Sequence, residues 1–178
     1  MLLIVGPSGV GKTLLLKRLQ ANTNNATISK EDVPATIATV GTNLMTVMTL
    51  KKTEVTVREM GGAMAPIWHK YYKDSHAIMF MIDLSKHVQV SIAAVQLMTL
   101  LSHPSTQDVP FLIILNKRDL SNSMSSVEVE CLFRLEELIH HASQKIQVVE
   151  TSAKTGYQLE EVAKWLHEYH RNEETGTS

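Results

Sequence analysis

The chain has 178 residues, 44% of them hydrophobic and 20% charged, which suits one globular domain with a sizeable core. With 17 Lys and Arg against 18 Asp and Glu, the net charge is −1. No run of like charge marks it for a nucleic-acid partner, so none is expected. A single cysteine, Cys131, excludes an internal disulfide and suits a reducing compartment such as the cytoplasm. Its apolar surroundings in sequence make it a small core residue by expectation.

Leu2 to Val5 reads as a short buried strand that runs into a glycine-rich turn. Thr13 to Gln20 follows as a helix, with Leu14, Leu15, Leu16 and Leu19 available for a buried face. Asn22 to Pro34 is polar and reads as a loop. Asn43–Leu50 and Thr53–Met60 alternate as strands around a Lys51-Lys52 turn, an antiparallel hairpin. Ala77–Leu84 and Val109–Asn116 are continuous apolar runs, as strands buried on both faces should be. Val88–Leu101 is a helix that stops before His103-Pro104. Ser125–Ala142 reads as one helix, with Ser125 and Glu128 forming a capping box. Val148–Ala153 is a last strand and Leu159–His170 a last helix, with a frayed tail from Asn172. One domain over residues 1–171 results. It is an α/β fold: a six-stranded, mostly parallel sheet with one antiparallel hairpin strand and helices on both faces.

Three segments carry chemistry. GPSGVGKT (Gly6, Pro7, Ser8, Gly9, Val10, Gly11, Lys12, Thr13) follows a strand and opens a helix, the context that a phosphate-binding loop requires. Its backbone N–H groups can surround an anion, Lys12 can reach β- and γ-phosphates, and the Thr13 hydroxyl can ligate Mg²⁺. NKRD ends an apolar strand, where ligands bind in α/β sheets. The Asp119 carboxylate can accept from two adjacent N–H donors, which guanine offers and adenine does not. Asn116 is expected at the base edge and the Lys117 stem over the base plane. Ser152, Ala153 and Lys154 again end a strand, with the Ala153 N–H expected at the guanine oxygen. The phosphate loop alone also resembles that of guanylate kinases. NKRD and the scarcity of arginines argue against that reading.

Together these residues resemble the small GTPase superfamily. ATVGTN (Ala38 to Asn43), REMGGA (Arg58 to Ala63) and PIWHKYY (Pro66 to Tyr72) are similar to the switch segments of its ADP-ribosylation-factor-like branch. The resemblance covers residues 1 to about 170. It implies GTP/GDP and Mg²⁺ as ligands, with effector and regulatory proteins bound through switch I, switch II and the hairpin between them. It implies that Thr39 ligates Mg²⁺ in the triphosphate state, with Thr36 and Thr42 as nearby competitors, and that the Gly62 N–H meets the γ-phosphate. Ile67, Trp68, Tyr71 and Tyr72 are candidates for the effector surface, and Trp68 and Tyr72 are equally candidates for the core.

Three departures from that pattern matter. Glu59 stands where the family has an aspartate that holds a Mg²⁺-bound water, so a water-mediated metal contact is expected of it. Ala63 stands where the family has the glutamine that orients the attacking water. No glutamine occurs between Gln20 and Gln89, so no shift of register supplies one. His69 and His76 are the nearest substitutes, both read as surface or core-edge residues. The first strand begins at Leu2, so no amphipathic or lipidated N-terminal helix is expected, and the chain is expected to be a monomer without a direct lipid anchor. A slow hydrolase switching between nucleotide states is the implied activity. A permanently GTP-bound interaction protein is the alternative.

Overall fold

The computed structural model describes residues 1–21, 37–49 and 53–174. The polar loop expected at Asn22–Pro34, the Lys51-Lys52 turn and Thr36 lie outside the described residues. The elements in chain order are β1 (Leu2–Val5), α1 (Lys12–Ala21), β2 (Thr42–Met48), β3 (Glu54–Met60), a 3-10 helix (Gly62–Tyr71), β4 (Ala77–Asp83), α2 (His87–Leu101), β5 (Phe111–Asn116), α3 (Ser126–Phe133), α4 (Leu135–His141), β6 (Ile146–Glu150) and α5 (Leu159–Glu174). A short 3-10 turn, Pro104–Thr106, precedes β5.

The six strands form one sheet in the order β2-β3-β1-β4-β5-β6. Only β2 and β3 pair antiparallel, with Asn43 opposite Glu59. The other neighbours are parallel. Side chains alternate across this sheet, so each central strand feeds two cores. Leu2, Ile4, Met79, Met81, Leu112 and Ile114 join residues of α1 and α5 on one face. Leu3, Val5, Ile78, Phe80, Ile82, Phe111 and Ile113 meet the 3-10 helix, α2 and α3 on the other. This two-sided burial is why β1, β4 and β5 read as unbroken apolar runs. The expected fold class is what the chain adopts. No helix among the described residues is long and apolar enough to cross a membrane.

Three expectations change. Ser125–Ala142 is two helices, α3 and α4, because Arg134 takes a left-handed conformation with φ of 48°. The capping box of Ser125 and Glu128 is present at its start. Cys131 is exposed and is not a core residue. The apolar period of α3 turns Val129 and Phe133 inward and leaves Cys131 on the opposite side. The final helix runs on past His170 to Glu174, so the tail expected from Asn172 lies partly within it.

Candidate functional site

Every chemistry-bearing segment lies at the carboxyl end of the parallel strands. The phosphate loop follows β1, the glycine pair follows β3, NKRD closes β5 and the Thr151–Lys154 turn follows β6. A crevice there is the expected ligand position in an open α/β sheet.

The glycine pair joins two segments that are distant in sequence. A Cβ on Gly61 would lie 2.2 Å from the Thr39 carbonyl oxygen, and one on Gly62 would lie 2.1 Å from the Ser8 backbone nitrogen. Both neighbours are backbone, which cannot rotate aside, so neither position admits a side chain in this arrangement. The Gly61 N–H donates to the Gly41 carbonyl at 2.9 Å. Beneath the turn, the buried indole of Trp68 donates to the Gly61 carbonyl at 3.2 Å and meets Phe80 edge-on. Gly61 thus holds the Thr39 segment and Gly62 rests on the phosphate loop.

Thr13, Thr39 and Glu59 converge beside that contact. Thr13 Oγ1 donates to Glu59 Oε1 at 2.5 Å. Thr39 Oγ1 lies 3.1 Å from Thr13 Oγ1 and 3.2 Å from the same carboxylate oxygen. Glu59 is 1% exposed, and its Oε2 is buried without a hydrogen-bond partner among the described residues. An orphaned buried carboxylate oxygen is costly and asks for a donor or a cation. Two hydroxyls and a carboxylate are the hard oxygen donors that Mg²⁺ selects, so these residues fit that ion. A cavity of about 110 Å³ adjoins them, lined also by Ser8, Lys12 and Gly62.

Lys12 curls across its own loop, donating to the Gly6 carbonyl at 2.8 Å and the Pro7 carbonyl at 2.9 Å. Burial lowers its pKa to about 8, partly offset by the Glu59 charge. Of the rest of the loop, Ser8 and Gly9 are exposed, while the Val10 side chain is fully buried in the core beneath α1.

The NKRD end is organised by Asn116. Its Nδ2 donates to the Val10 carbonyl at 2.7 Å. Its Oδ1 accepts from the Thr151 hydroxyl at 3.2 Å and from the Ala153 N–H at 3.0 Å. The side chain expected at the base edge ties the phosphate loop to the β6 turn, and the Ala153 N–H donates to it. Asp119 is exposed and accepts one bond, from Ser152 Oγ at 2.6 Å. Lys117, left-handed with φ of 72°, pairs with the buried Asp83 carboxylate at 2.6 Å. Arg118 forms a two-pronged pair with Glu150, which holds that carboxyl below its usual range. Lys154 is exposed and its carbonyl accepts from Arg18 at 2.6 Å.

The structure decides readings that the sequence left open. Trp68 and Tyr72 are 2% and 5% exposed and belong to the core. Ile37, Val40 and Leu44, at 92%, 95% and 54% exposure, are the apolar side chains presented beside Thr39. Sequence reasoning passed over them because isolated apolar residues among Thr and Gly give no periodic signal. His69 stacks on His103, which follows α2, and His76 precedes β4. Both lie toward the amino ends of the parallel strands, away from Gly62, so neither stands in for the missing glutamine. Ala63 is exposed at the start of the 3-10 helix. A larger cavity, about 530 Å³ between α2 and α4, borders none of the residues named for chemistry.

Comparison with known proteins agrees with this architecture. The profile of the ADP-ribosylation factor family matches residues 1–170. The chain is 41% identical over 172 residues to human ADP-ribosylation factor-like protein 16, spanning 96% of this chain and 86% of that one. It is 30% identical over 167 residues to ADP-ribosylation factor-like protein 1 of Caenorhabditis elegans, spanning 93% and 86%. The solved structure of the Arl6 BBS3 small GTPase from Trypanosoma brucei with bound nucleotide analogue GppNp covers 94% of each chain, with a TM-score of 0.77 and 23% identity, a likeness of fold. Phosphate loop, glycine pair, NKRD and sheet order thus agree with sequence similarity along nearly the whole length: the chain is a small GTPase of the ADP-ribosylation factor family.

Proposed function

We propose that this protein is a Mg²⁺-dependent GTP-binding switch with very slow intrinsic hydrolysis, which signals to effector proteins from the Thr39 segment and the glycine turn. The observation that carries this reading is the meeting of Thr13, Thr39, Glu59 and Gly62 at one cavity beside the phosphate loop.

Each part has a distinct task. The phosphate-loop N–H groups and the start of α1 bind the phosphates. Lys12 exchanges its carbonyl partners for phosphate oxygens, and the added negative charge raises its pKa again. Asp119 selects guanine through the two adjacent N–H donors of that base, with Ser152 holding the carboxylate in place. The Lys117 stem covers the base while its ammonium stays on Asp83. Mg²⁺, when bound, neutralises charge on the β- and γ-oxygens, and Thr13, Thr39 and Glu59 are the residues that hold it. Gly62 offers its N–H to the third phosphate because nothing but hydrogen stands on its Cα. Ile37, Val40 and Leu44 form the surface an effector reads when Thr39 is fixed.

Hydrolysis is the weak function. Ala63 has no group to orient water, and neither His69 nor His76 reaches the site. Even a glutamine-bearing relative hydrolyses at roughly 10⁻⁴ s⁻¹ unaided. A single-turnover assay of GTP-loaded protein is expected to give a rate at or below about 10⁻⁴ s⁻¹. A rate near 10⁻² s⁻¹, roughly that of a GTPase with its own catalytic arginine, would overturn this reading. The alternative, a constitutively GTP-bound interaction protein, is favoured by the same Ala63. A partner that raises the rate separates the two. We place the protein as a monomer in the cytoplasm, where the exposed thiol of Cys131 stays reduced.

A further inference from the structure

Resting on the reading that Mg²⁺ accompanies the bound nucleotide, we propose that Glu59 is itself a ligand of the metal, bonded through its carboxylate oxygen with no water between. Three lines of geometry converge on this.

The first is the spacing of the oxygens. Mg²⁺ holds its ligands at 2.0–2.1 Å in a near-ideal octahedron, which sets neighbouring ligand oxygens about 2.9 Å apart. Thr13 Oγ1, Thr39 Oγ1 and Glu59 Oε1 are separated by 2.5, 3.1 and 3.2 Å. These distances bracket the octahedral edge on all three sides. The three atoms, hydrogen-bonded to one another, are thus close enough to occupy one triangular face of a Mg²⁺ shell, and small adjustments would seat them on the ion.

The second is reach. Glu59 stands on β3 in fixed register, opposite Asn43 and beside Ile4. The backbone cannot slide, so the additional methylene of glutamate relative to aspartate is spent on extending the carboxylate toward the metal. The extra length is about that of one carbon–carbon bond, a large part of the gap a bridging water would otherwise fill.

The third is burial. Glu59 is 1% exposed, and Oε2 has no partner among the described residues. Lys12 is the nearby cation, but its ammonium is held by the Gly6 and Pro7 carbonyls. A directly bound divalent cation compensates the buried negative charge more fully than a hydrogen bond from water does. Of the six metal positions, Thr13, Thr39 and Glu59 then take three. The β- and γ-oxygens take two, which leaves a single position for water.

The test substitutes Mn²⁺ for Mg²⁺ in full-length protein loaded with a non-hydrolysable GTP analogue. The protein is produced with glutamate labelled with carbon-13 at the side-chain carboxyl. Electron–nuclear double resonance then reads the distance from the metal to the labelled carbon. Direct ligation predicts a strong coupling at about 3 Å, which disappears in Glu59→Ala and is regained by no other glutamate. Coupling found only beyond about 4 Å means water stands between. That result overturns the proposal and leaves the guanine-nucleotide reading intact. Protein that retains the nucleotide analogue without Mn²⁺ overturns the proposal as well. Protein that retains neither overturns both. Glu59→Asp, a conservative variant, also removes the labelled carbon at this position and must lose the coupling, so the assignment does not depend on the alanine variant folding.

Discussion

Removal of the Asn116 side chain tests how the site is held together. The amide makes three hydrogen bonds, to the Val10 carbonyl, the Thr151 hydroxyl and the Ala153 N–H, at 2.7, 3.2 and 3.0 Å. Asn116 is 2% exposed, and Val10, Thr151 and Ala153 are buried with it. Each bond contributes about 0.5–1.5 kcal/mol net, and a buried group left without a partner costs more than the lost bond. Asn116→Ala strands a backbone carbonyl and a backbone N–H, so the expected cost is about 3 kcal/mol, roughly a 150-fold fall in the folding equilibrium. In a chain of this size that lowers the melting temperature by about 6–12 °C. Urea unfolding of the nucleotide-free protein gives the free energy directly. A loss below about 1 kcal/mol, together with a large loss of guanine-nucleotide affinity, would refute the reasoning: Asn116 would then be a base contact and not a tie between loops.

Other perturbations give independent checks. Gly62→Ala sets a methyl 2.1 Å from the Ser8 nitrogen. The turn must withdraw from the phosphate loop at a cost of about 1–3 kcal/mol, read as a lower melting temperature and a reduced preference for GTP over GDP; an unchanged protein would mean the contact is not needed. Lys12 has a folded pKa of about 8 against 10.5 for the ordinary group, so between those values the unfolded chain binds more protons and stability rises with pH. From pH 7 to 9.5 the nucleotide-free protein should gain about 2 kcal/mol relative to Lys12→Met. The comparison is kept below pH 10 because burial raises the Tyr72 phenol to about 12, which opposes the trend once unfolded tyrosine ionises. A flat difference between the two proteins would contradict the burial of a charged Lys12. Arg134→Gly relieves a left-handed residue at φ of 48°. It loses only an ion pair whose partners are 71% and 56% exposed, so a gain of about 0.5–1 kcal/mol in urea unfolding is expected. A loss would mean that Arg134 is not strained.

The fold was legible in the sequence wherever burial is two-sided. β4 and β5 announce themselves as apolar runs because both faces of the sheet are covered. The phosphate loop and NKRD were legible because their chemistry fixes both residue type and spacing. What escaped reading depends on contacts between distant segments. The bonds that tie the Asn116 amide to Val10 and Ala153 carry no signal in the residues around it. Trp68 could have faced solvent or core, and the Gly61 carbonyl and Phe80 turn it inward. The break at Arg134 carries no proline or glycine to mark it, so a continuous helical period was the natural reading of 125–142. The closeness of Glu59 to both threonines was implied only by the resemblance, which sets all three at Mg²⁺, and by no local signal. It arises from the register of β2 on β3 and from the way Gly61 admits the Thr39 carbonyl.

The central claim is that this cradle binds guanine nucleotide. Displacement of a fluorescent GDP analogue from the purified protein by GDP, GTP and ADP, in Mg²⁺ buffer, tests it most directly. GDP and GTP are expected to displace the probe at concentrations at least about 100-fold below ADP, the discrimination expected when a carboxylate finds paired donors on one base and none on the other. Equal displacement by ADP, or no retention of the probe, would contradict it.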